Sequence, residues 1–430
     1  MSEPLDRRRL LARAGTLAVA PGTLAAAGHG AAPLGWAAVR RQFALARGET
    51  NLTTFLLASH PKPVREAIDR YRRALDADAA RYLDAHEQAL DDATRRAAAR
   101  YLDVDPDEIA LTDSTTMGLG LLYAGIVLRP GQQLVTSVHD FYATQEALRY
   151  RADRTGALLS QIELYAQPSK ATVDEIVSNV KRGIGRRTRV LALTWVHSST
   201  GVKIPVREIA RVVADANRRR DPHDRILFAL DGVHGLGVED ASPHDLGVDF
   251  LVAGTHKWLF GPRGTGIVWG LPEAWAEVRP TIPTFDRQAY GAWMMGRTAV
   301  VPPGPWMTPG GFHSFEHRWA LADAFRWRLQ LGRRRVAART HALAQRLKQH
   351  LAGARNLTVV TPRSAELSSG LVCVAPFNAQ PEDAVGELYR RHRIVASVTP
   401  YATAYVRFGP SILNDEDEVD AAARALRAIA

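Results

Sequence analysis

The chain has 430 residues, of which 46% are hydrophobic and 23% are charged, a composition typical of a globular protein rather than of a disordered or fibrous one. This length can bury one large core and a smaller one, which predicts two domains. The chain contains no run of about 18 apolar residues, so we expect no membrane span in the mature protein. The net charge is +10, but the arginines are scattered and no nucleic-acid-binding motif accompanies them, so we expect no nucleic-acid partner.

The amino terminus has the features of an export signal. Residues 6–11 read DRRRLL, with Arg7 and Arg8 as an arginine pair, and a weakly apolar, uncharged stretch follows over residues 14–27. This pattern resembles a twin-arginine signal. It predicts a signal segment over residues 1–30 and a periplasmic or secreted protein. The alternative is a disordered, arginine-rich tail on a cytoplasmic protein.

The body of the chain alternates between strand and helix patterns. An N-terminal arm is expected over residues 31–60, with a helix at 36–47, and helices at 64–74 and 84–101 follow. Strands are then predicted at 109–112, 133–137, 158–163, 189–196, 226–230 and 249–253, with helices between them, among them 143–155, 173–182 and 205–218. Strands that alternate with helices predict an α/β fold with a mainly parallel sheet covered on both faces.

The last third of the chain predicts a smaller domain. Residues 275–306 are irregular and rich in Gly, Pro and aromatic residues, and His313, Glu316 and His317 then form an H-x-x-E-H pattern. That pattern can bind zinc when it lies on a helix. Pro-Gly-Gly precedes it here, which places His313 at or before the helix start, so we expect no metal site. A helix over 316–351 that bends near Gly332 leads into an α/β domain, which gives boundaries of 61–315 and 316–430 for the two domains.

Two neighbouring strands deliver the candidate catalytic pair. The run 226–230 ends at Asp231, and the run 249–253 leads into Thr255-His256-Lys257 and a glycine-rich loop. Ligands of parallel sheets bind at the carboxyl ends of the strands. A lysine amine can bond to the aldehyde of pyridoxal phosphate (PLP), and an aspartate can keep its ring nitrogen protonated. Taken singly, such a lysine is usually a surface charge and an Asp-Gly pair is usually a turn.

The ordered set of motifs resembles the class V aminotransferase family of fold-type I PLP enzymes, and within it the isopenicillin N epimerase-like branch. The motifs are Asp231-Gly-Val-His234 and His256-Lys257-Trp with Gly-Pro-x-Gly-x-Gly behind it. The resemblance implies a large, mainly parallel seven-stranded sheet domain, a smaller C-terminal α/β domain and PLP as cofactor. It also implies a homodimer with shared active sites.

The resemblance implies a role for each matching residue. Lys257 would bond covalently to the cofactor, Asp231 would pair with the pyridine nitrogen and His234 would contact the ring hydroxyl. Arg407 lies in the stretch YVRFGPSILNDEDEV, which resembles the family pattern V-R-x-S-x-x-x-Y-N-T-x-E-E, and it would bind the substrate carboxylate through its planar fork. The further cofactor-binding candidates are Thr115, Thr116, His139, Ser198, Thr255, His256, Gly310 and Gly311.

Some of these candidates have an independent physical reason or an alternative. Thr115 and Thr116 open a helix after a strand, where free N–H groups and the helix dipole attract a phosphate, although such residues also serve as ordinary N-caps. His139 would stack on the PLP ring, or it is a structural histidine. Ser198 stands where cysteine desulfurases of the family carry asparagine. The pair Gly310–Gly311 would reach the phosphate of the other subunit.

The motifs imply the cofactor and leave the reaction open. Transamination, racemisation, β-elimination and decarboxylation share the same first steps. Cys373 lies in an apolar run and is expected to be a buried, inert thiol, which argues against desulfurase chemistry. We therefore predict an enzyme that acts at the amino-bearing carbon of an amino acid or a peptide-borne amino acid. Export favours the group that tailors the glutamate of pyoverdine siderophores.

Two alternatives remain open at this stage. One is a PLP-dependent β-lyase or a simple amino-acid transaminase, which release of pyruvate or another keto acid would reveal. The other is a non-catalytic protein with the same fold.

Overall fold

The computed structural model describes residues 34–430. The predicted signal segment over residues 1–30, with Arg7 and Arg8, therefore lies outside the described residues. Residues Gly35–Ala430 form one compact unit. None of the helices in this described part combines the length and the apolar character needed to cross a bilayer.

The secondary structure follows the predicted alternation. The strands are β1 Thr50–Asn51, β2 Ile109–Thr112, β3 Gln133–Ser137, β4 Leu158–Ile162, β5 Thr188–Thr194, β6 Leu227–Asp231, β7 Phe250–Gly254, β8 Gly266–Gly270, β9 Leu357–Val359, β10 Val372–Pro376, β11 Ile394–Val395, β12 Ser397–Val398 and β13 Val406–Phe408. The α-helices are α1 Trp36–Arg40, α2 Lys62–Leu102, α3 Thr115–Gly125, α4 Tyr142–Thr155, α5 Val173–Gly183, α6 Val206–Asn217, α7 Pro243–Leu246, α8 Pro272–Trp275, α9 Arg287–Met294, α10 Pro303–Met307, α11 Phe315–Leu331, α12 Arg333–Leu351, α13 Pro381–His392 and α14 Glu416–Ile429.

The large sheet has seven strands in the order β2-β8-β7-β6-β5-β3-β4. All neighbours are parallel except β8, which is antiparallel to both β2 and β7. Every residue of β5, β6 and β7 is buried, as expected for central strands with both faces covered. The predicted α/β class and the mainly parallel seven-stranded sheet are confirmed. The sequence analysis did not predict β8, because its short Gly-Ile-Val-Trp-Gly run directly follows the glycine-rich loop.

A second, smaller sheet lies near the carboxyl terminus. Its four strands are antiparallel in the order β12-β13-β10-β9. Side chains from α12, α13 and α14 pack with this sheet in a core of their own, which includes Leu347, Leu388 and Leu426. The N-terminal arm joins this region, because β1 pairs with β11 through Thr50 and Ile394. The hairpin formed by β12 and β13 carries Arg407, one of the predicted site residues.

The structure corrects one helix prediction: helix α1 ends at Arg40 rather than at residue 47. The two helices predicted at 64–74 and 84–101 are both present within the range of α2, and they meet at a kink at Asp78, whose dihedral angles are not helical. The bend predicted near Gly332 is present: this residue separates α11 from α12 with a φ of +83°, a conformation that favours glycine.

Candidate active site

Asp231 and the segment that carries Lys257 meet at the carboxyl edge of the large sheet. Strands β6 and β7 are parallel neighbours, so their ends lie side by side. Asp231 is 2% exposed and accepts a hydrogen bond from the Val233 N–H at 3.0 Å. Burial raises its pKa to about 6, although the Lys257 charge opposes the shift. Burial likewise lowers the pKa of Lys257 to about 8. Both side chains therefore titrate closer to neutral pH than exposed side chains of the same kind do.

His234 is held in a single orientation beside the lysine. Its Nε2 lies 3.3 Å from Lys257 Nζ, and its Nδ1 accepts a hydrogen bond from Trp258 Nε1 at 3.2 Å. Burial, together with the charges of Lys257 and Arg407, lowers the pKa of His234 well below its usual value, so the ring is neutral. An indole N–H can only donate. The remaining proton therefore sits on Nε2, where His234 can donate to an amine or oxygen beside Lys257. The sequence analysis did not assign a role to Trp258.

The start of α3 forms the anion-binding end of the site. Ser114 caps this helix through the Met117 N–H, and the other first-turn N–H groups have no helical partner. Thr115 is buried, and its hydroxyl accepts a hydrogen bond from the Gly254 N–H at 2.7 Å; Thr116 is exposed. His256 lies beside Thr115, because a Cβ on Gly254 would come within 2.9 Å of His256 Cε1 and 3.0 Å of Thr115 Oγ1. Two of the predicted cofactor-binding residues, Thr115 and His256, therefore lie side by side, and the phosphate-binding role of Thr115 and Thr116 stays a prediction.

Thr255 is bound by the glycine-rich loop that follows Lys257. Its side chain is fully buried, and its hydroxyl lies 2.5 Å from Thr265 Oγ1 and 3.1 Å from the Thr265 carbonyl oxygen. The hydroxyl therefore joins the lysine segment to this loop, and the contact of Thr255 with the cofactor stays a prediction. A local motif cannot reveal this partner, because Thr265 approaches only when the loop folds back.

His139 stacks on a tyrosine that the sequence analysis did not single out. The rings of His139 and Tyr165 are nearly parallel, with centroids 3.9 Å apart. Tyr165 is fixed by two hydrogen bonds of its hydroxyl oxygen, which lies 2.9 Å from His197 Nδ1 and 2.8 Å from Thr200 Oγ1. Burial lowers the pKa of His139 to about 3, and its Nε2 is buried without a hydrogen-bond partner. The neutral imidazole ring of His139, with Tyr165 packed against one face, is suited to stack on a flat cofactor with its other face.

Arg407 lies on β13 as a buried cation. It is 3% exposed, and it donates to the Ser198 carbonyl oxygen at 2.9 Å and to Ser397 Oγ at 3.2 Å. Its guanidinium also lies 4.6 Å from the ring centroid of Phe55. Within residues 34–430, none of the ion pairs formed involves Arg407. A buried cation without a carboxylate partner is suited to bind one from a ligand.

Ser198 joins this arginine to a second residue that the sequence analysis missed. Ser198 is buried, and its Oγ lies 2.6 Å from the hydroxyl of Tyr401. Tyr401 follows β12, in the loop that leads to Arg407. No local motif marks Tyr401, since its partner is 203 residues away in the chain.

The glycine loop and the histidine pair lie in a separate segment. The Gly310 N–H donates to the Pro283 carbonyl oxygen at 2.9 Å, and Gly311 has a φ of +104°; their predicted role across a dimer stays a prediction. His313 Nδ1 contacts the Gly311 carbonyl oxygen, whereas His317 Nδ1 contacts the Arg263 carbonyl oxygen. The described range contains no cluster of three or more metal-ligating side chains.

Cys373 is fully buried in β10, as predicted. Burial raises the pKa of its thiol to about 12. The thiolate is the reactive form of cysteine, so this thiol is unreactive in the folded chain.

The fold and the site define a class of protein: an α/β enzyme that holds an aldehyde cofactor on a lysine at a strand end. The family model described as "Aminotransferase class-V" matches residues 58–421. The chain therefore belongs to the class V aminotransferase family, and it is a PLP-dependent enzyme.

The curated relatives include two kinds of enzyme. An isopenicillin N epimerase from Streptomyces clavuligerus is 25% identical over 413 residues, which is 92% of this chain and 98% of the relative. The isopenicillin N epimerase of Amycolatopsis lactamdurans is 26% identical over 414 residues, covering 91% and 98%. A probable cysteine desulfurase from Pseudomonas aeruginosa is 27% identical over 342 residues, covering 75% and 78%.

Solved structures confirm the fold. A mutant of the lyase C-DES, with glycine covalently linked to its PLP cofactor, aligns with a TM-score of 0.81 at 20% identity, covering 90% of this chain and 98% of that one. The apo cysteine desulfurase of Thermococcus onnurineus NA1 aligns with a TM-score of 0.77 at 20% identity, covering 91% and 97%.

The residues present fit PLP. Asp231 is a buried acid that can pair with a protonated ring nitrogen, and Lys257 supplies an amine near the end of the neighbouring strand. The start of α3 offers N–H groups to a phosphate. A side chain on Gly254 would fill the space between Thr115 and His256, so glycine keeps this cradle open.

Proposed function

We propose that the enzyme acts at the amino-bearing carbon of an amino acid, or of an amino acid carried in a peptide-like molecule, in aminotransferase- or epimerase-like chemistry. One observation carries this proposal. The unpaired guanidinium of Arg407 lies close enough to Lys257 for its charge to lower the pKa of the lysine. The site therefore offers an amine-reactive group and a carboxylate-binding group near one another, which matches a substrate that carries both an amine and a carboxylate.

Each polar side chain of the site has a separate role in the proposed reaction. PLP, when bound, withdraws electrons from the bonds to the substrate Cα. Asp231 is charged above a pH of about 6 and would hold the proton on the cofactor's ring nitrogen. Lys257, with its pKa lowered to about 8 by burial, can accept and return a proton at Nζ near neutral pH. His234 donates from Nε2 beside it, and Arg407 orients the substrate through its carboxylate.

Two observations favour epimerase-like chemistry over desulfuration. The relatives named isopenicillin N epimerase align with at least 91% of this chain. Sulfur transfer needs a reactive cysteine, whereas Cys373, the one cysteine in the sequence, is buried with a raised pKa. A reaction that only moves protons at Cα needs no such nucleophile.

We further propose that the protein is exported through the twin-arginine pathway and tailors the glutamate group of a pyoverdine precursor. The arginine pair Arg7–Arg8 and the uncharged stretch behind it support export. That pathway carries folded proteins, which suits an enzyme that binds its cofactor before export. Support for a peptide-borne substrate comes from the full-length similarity to the two epimerases.

We also propose a homodimer with shared active sites. Several large apolar side chains between residues 282 and 312 are exposed in the single chain. Trp293 is 71% exposed and Phe312 is 88% exposed. Gly310 and Gly311 lie in the same segment, so a partner that covers these side chains would receive the glycine loop as well.

The proposed function is tested by incubating the PLP-loaded enzyme with amino acids and with metabolite extracts that contain peptide siderophore precursors. Mass spectrometry and chiral chromatography then detect loss of the amino group, release of a keto acid or inversion at Cα. Lys257→Ala, loaded with the same cofactor, is the matched control. If no compound changes at its amino-bearing carbon, the proposal is wrong; release of pyruvate with sulfide or ammonia would identify a β-lyase instead.

A further inference from the structure

The segment between β1 and α2 is bonded to two parts of the candidate active site. The Ala58 N–H donates to the His256 carbonyl oxygen at 2.9 Å, which ties this segment to the residues that follow β7. The Leu52 carbonyl oxygen accepts a hydrogen bond from the Gly409 N–H at 2.7 Å, directly beyond the end of β13. Backbone hydrogen bonds on both sides of Phe55 therefore fix its position between the large and the small sheet.

The ring of Phe55 is packed closely on several sides. Phe55 is fully buried, and its ring neighbours Trp258, with centroids 6.2 Å apart. A Cβ on Gly409 would clash with Phe55 Cδ1 and would lie 3.1 Å from Trp258 Cη2. The absence of a side chain on Gly409 therefore lets the ring pack on the backbone that follows β13. A ring enclosed in this way has little freedom to move.

The same ring lies against Arg407 and His234. The guanidinium carbon of Arg407 is 4.6 Å from the ring centroid of Phe55, a distance at which the π face attracts a cation. The imidazole of His234 lies 6.4 Å from the Phe55 ring, measured between centroids. Its Nε2 is 3.3 Å from Lys257 Nζ. One aromatic side chain therefore borders both the carboxylate-binding group and the imidazole that contacts the lysine.

The hydrogen bonds of Arg407 leave part of its planar fork for a ligand. The N–H bonds of a guanidinium lie in its plane. Nη1 donates to the Ser198 carbonyl oxygen at 2.9 Å, and Nε donates to Ser397 Oγ at 3.2 Å. These two bonds use two of the five N–H groups, and the Phe55 ring covers one face. A carboxylate would therefore bind in the guanidinium plane, and the orientation of that plane sets where the carboxylate lies.

We infer that Phe55 is a positioning residue: its ring holds the Arg407 guanidinium in the orientation in which the arginine binds the substrate carboxylate. The inference rests on the proposed function and adds a residue that sets its selectivity for amino acids over simple amines. An arginine side chain is long and flexible, so a guanidinium without the ring would have to be ordered whenever a ligand binds. Holding it in place beforehand raises affinity without adding a contact to the ligand.

The test changes the electron density of the ring and nearly keeps its shape. In Phe55→trifluorophenylalanine, the fluorine atoms withdraw electrons from the π face and weaken its attraction for a cation. The matched control is Phe408→trifluorophenylalanine. Phe408 is also fully buried, and it packs in the core of the small sheet. Within residues 34–430, none of the cation–π contacts involves Phe408.

Binding is measured with α-methylalanine and with isopropylamine, which is the same amine without the carboxylate. The dissociation constants of both compounds for the PLP-loaded enzyme come from the change in cofactor absorbance, and their ratio measures the preference for a carboxylate. A desolvated cation–π contact contributes up to about 30-fold, so the Phe55 variant should lose about tenfold of this preference. Its affinity for isopropylamine should match the wild type, and the Phe408 variant should keep the wild-type ratio.

Arg407→Ala, measured with the same two compounds, separates this inference from the proposed function. If the wild type does not prefer α-methylalanine, or if Arg407→Ala keeps the preference, the proposed carboxylate site is wrong and the role of Phe55 fails with it. If Arg407→Ala loses the preference while the Phe55 variant keeps the wild-type ratio, the proposed function stands and the inference is overturned. Equal weakening of both compounds by the Phe55 variant would show a general packing role and would also overturn the inference.

Discussion

Replacing Arg407 by alanine removes the positive charge proposed to hold the substrate carboxylate. The guanidinium is 3% exposed and is bound by the Ser198 carbonyl oxygen and Ser397 Oγ, which leaves it without a charged partner until a ligand arrives. Truncating one partner of a buried charge pair costs about 2–5 kcal/mol. At about 1.4 kcal/mol for each factor of ten, kcat/KM should fall by about 30-fold or more.

The assay uses the amino acid that the wild type converts fastest, beside the amine that lacks its α-carboxylate. Arg407→Ala should lose activity on the amino acid and change little on the amine, so the preference for a carboxylate should disappear. The absorbance spectrum of bound PLP should stay the same, because Asp231 and Lys257 are untouched. Lysine at this position should restore activity only in part, because a point charge cannot reproduce the planar fork.

Two controls test whether Arg407→Ala loses activity because it is misfolded rather than because it lacks the guanidinium. Arg393→Ala removes an exposed arginine of the same region, which pairs with Glu49, and should leave kcat/KM unchanged. The thermal unfolding midpoint of Arg407→Ala should stay close to that of the wild type, because the loss of two hydrogen bonds is offset by the relief of a buried, unpaired charge. A folded Arg407→Ala enzyme with kcat/KM within about threefold of the wild type would show that the carboxylate is bound elsewhere.

Three further predictions concern the lysine, the export signal and a buried acid. Lys257→Ala should abolish the bond to PLP that borohydride reduces and mass spectrometry detects, while the protein stays folded, because the lysine follows a strand end. Lysine at both Arg7 and Arg8 should keep a folded, PLP-bound protein in the cytoplasm, and normal periplasmic delivery in cell fractionation would contradict the proposed export. Burial raises the pKa of Glu239, but the hydrogen bond from His341 and nearby positive charge outweigh this and bring it to about 2. Since a lowered pKa contributes stability above the ordinary value of about 4.5 and loses it as the pH falls toward 2, Glu239→Gln should cost about 3 kcal/mol of unfolding free energy at pH 7. In urea unfolding, that difference from the wild type should shrink between pH 4.5 and 2; a constant difference would refute the pKa shift.

Much of the large sheet follows from the sequence alone. The predicted strands 109–112 and 133–137 coincide with β2 and β3. A short apolar run bounded by turn residues is too short for a helix and forms a buried strand in a chain that alternates strands and helices. The position of Asp231 and Lys257 was predictable for a related reason. Parallel neighbouring strands end at the same edge, so residues that follow those ends lie close together whatever the loops do.

The orientation of side chains in loops was not predictable. Thr255 belongs to the same motif as Lys257, yet its hydroxyl bonds to Thr265, and only the folded loop brings that partner near. Strand β8 was missed because its short Gly-Ile-Val-Trp-Gly run directly follows the glycine-rich loop, and only its pairing with β2 and β7 identifies it as a strand.

The sequence by itself determined the class of fold and the cofactor, and it predicted the residues that would hold the cofactor, because these depend on local runs and on motifs of fixed spacing. Only the tertiary structure decided what surrounds the substrate position. Tyr165 backs His139, Tyr401 meets Ser198, and Arg407 is left without a carboxylate partner within residues 34–430. The first pair joins the segments that follow β3 and β4 of the large sheet, whereas Tyr401 and Arg407 come from the small sheet. All of these contacts depend on tertiary packing and burial that no local pattern records.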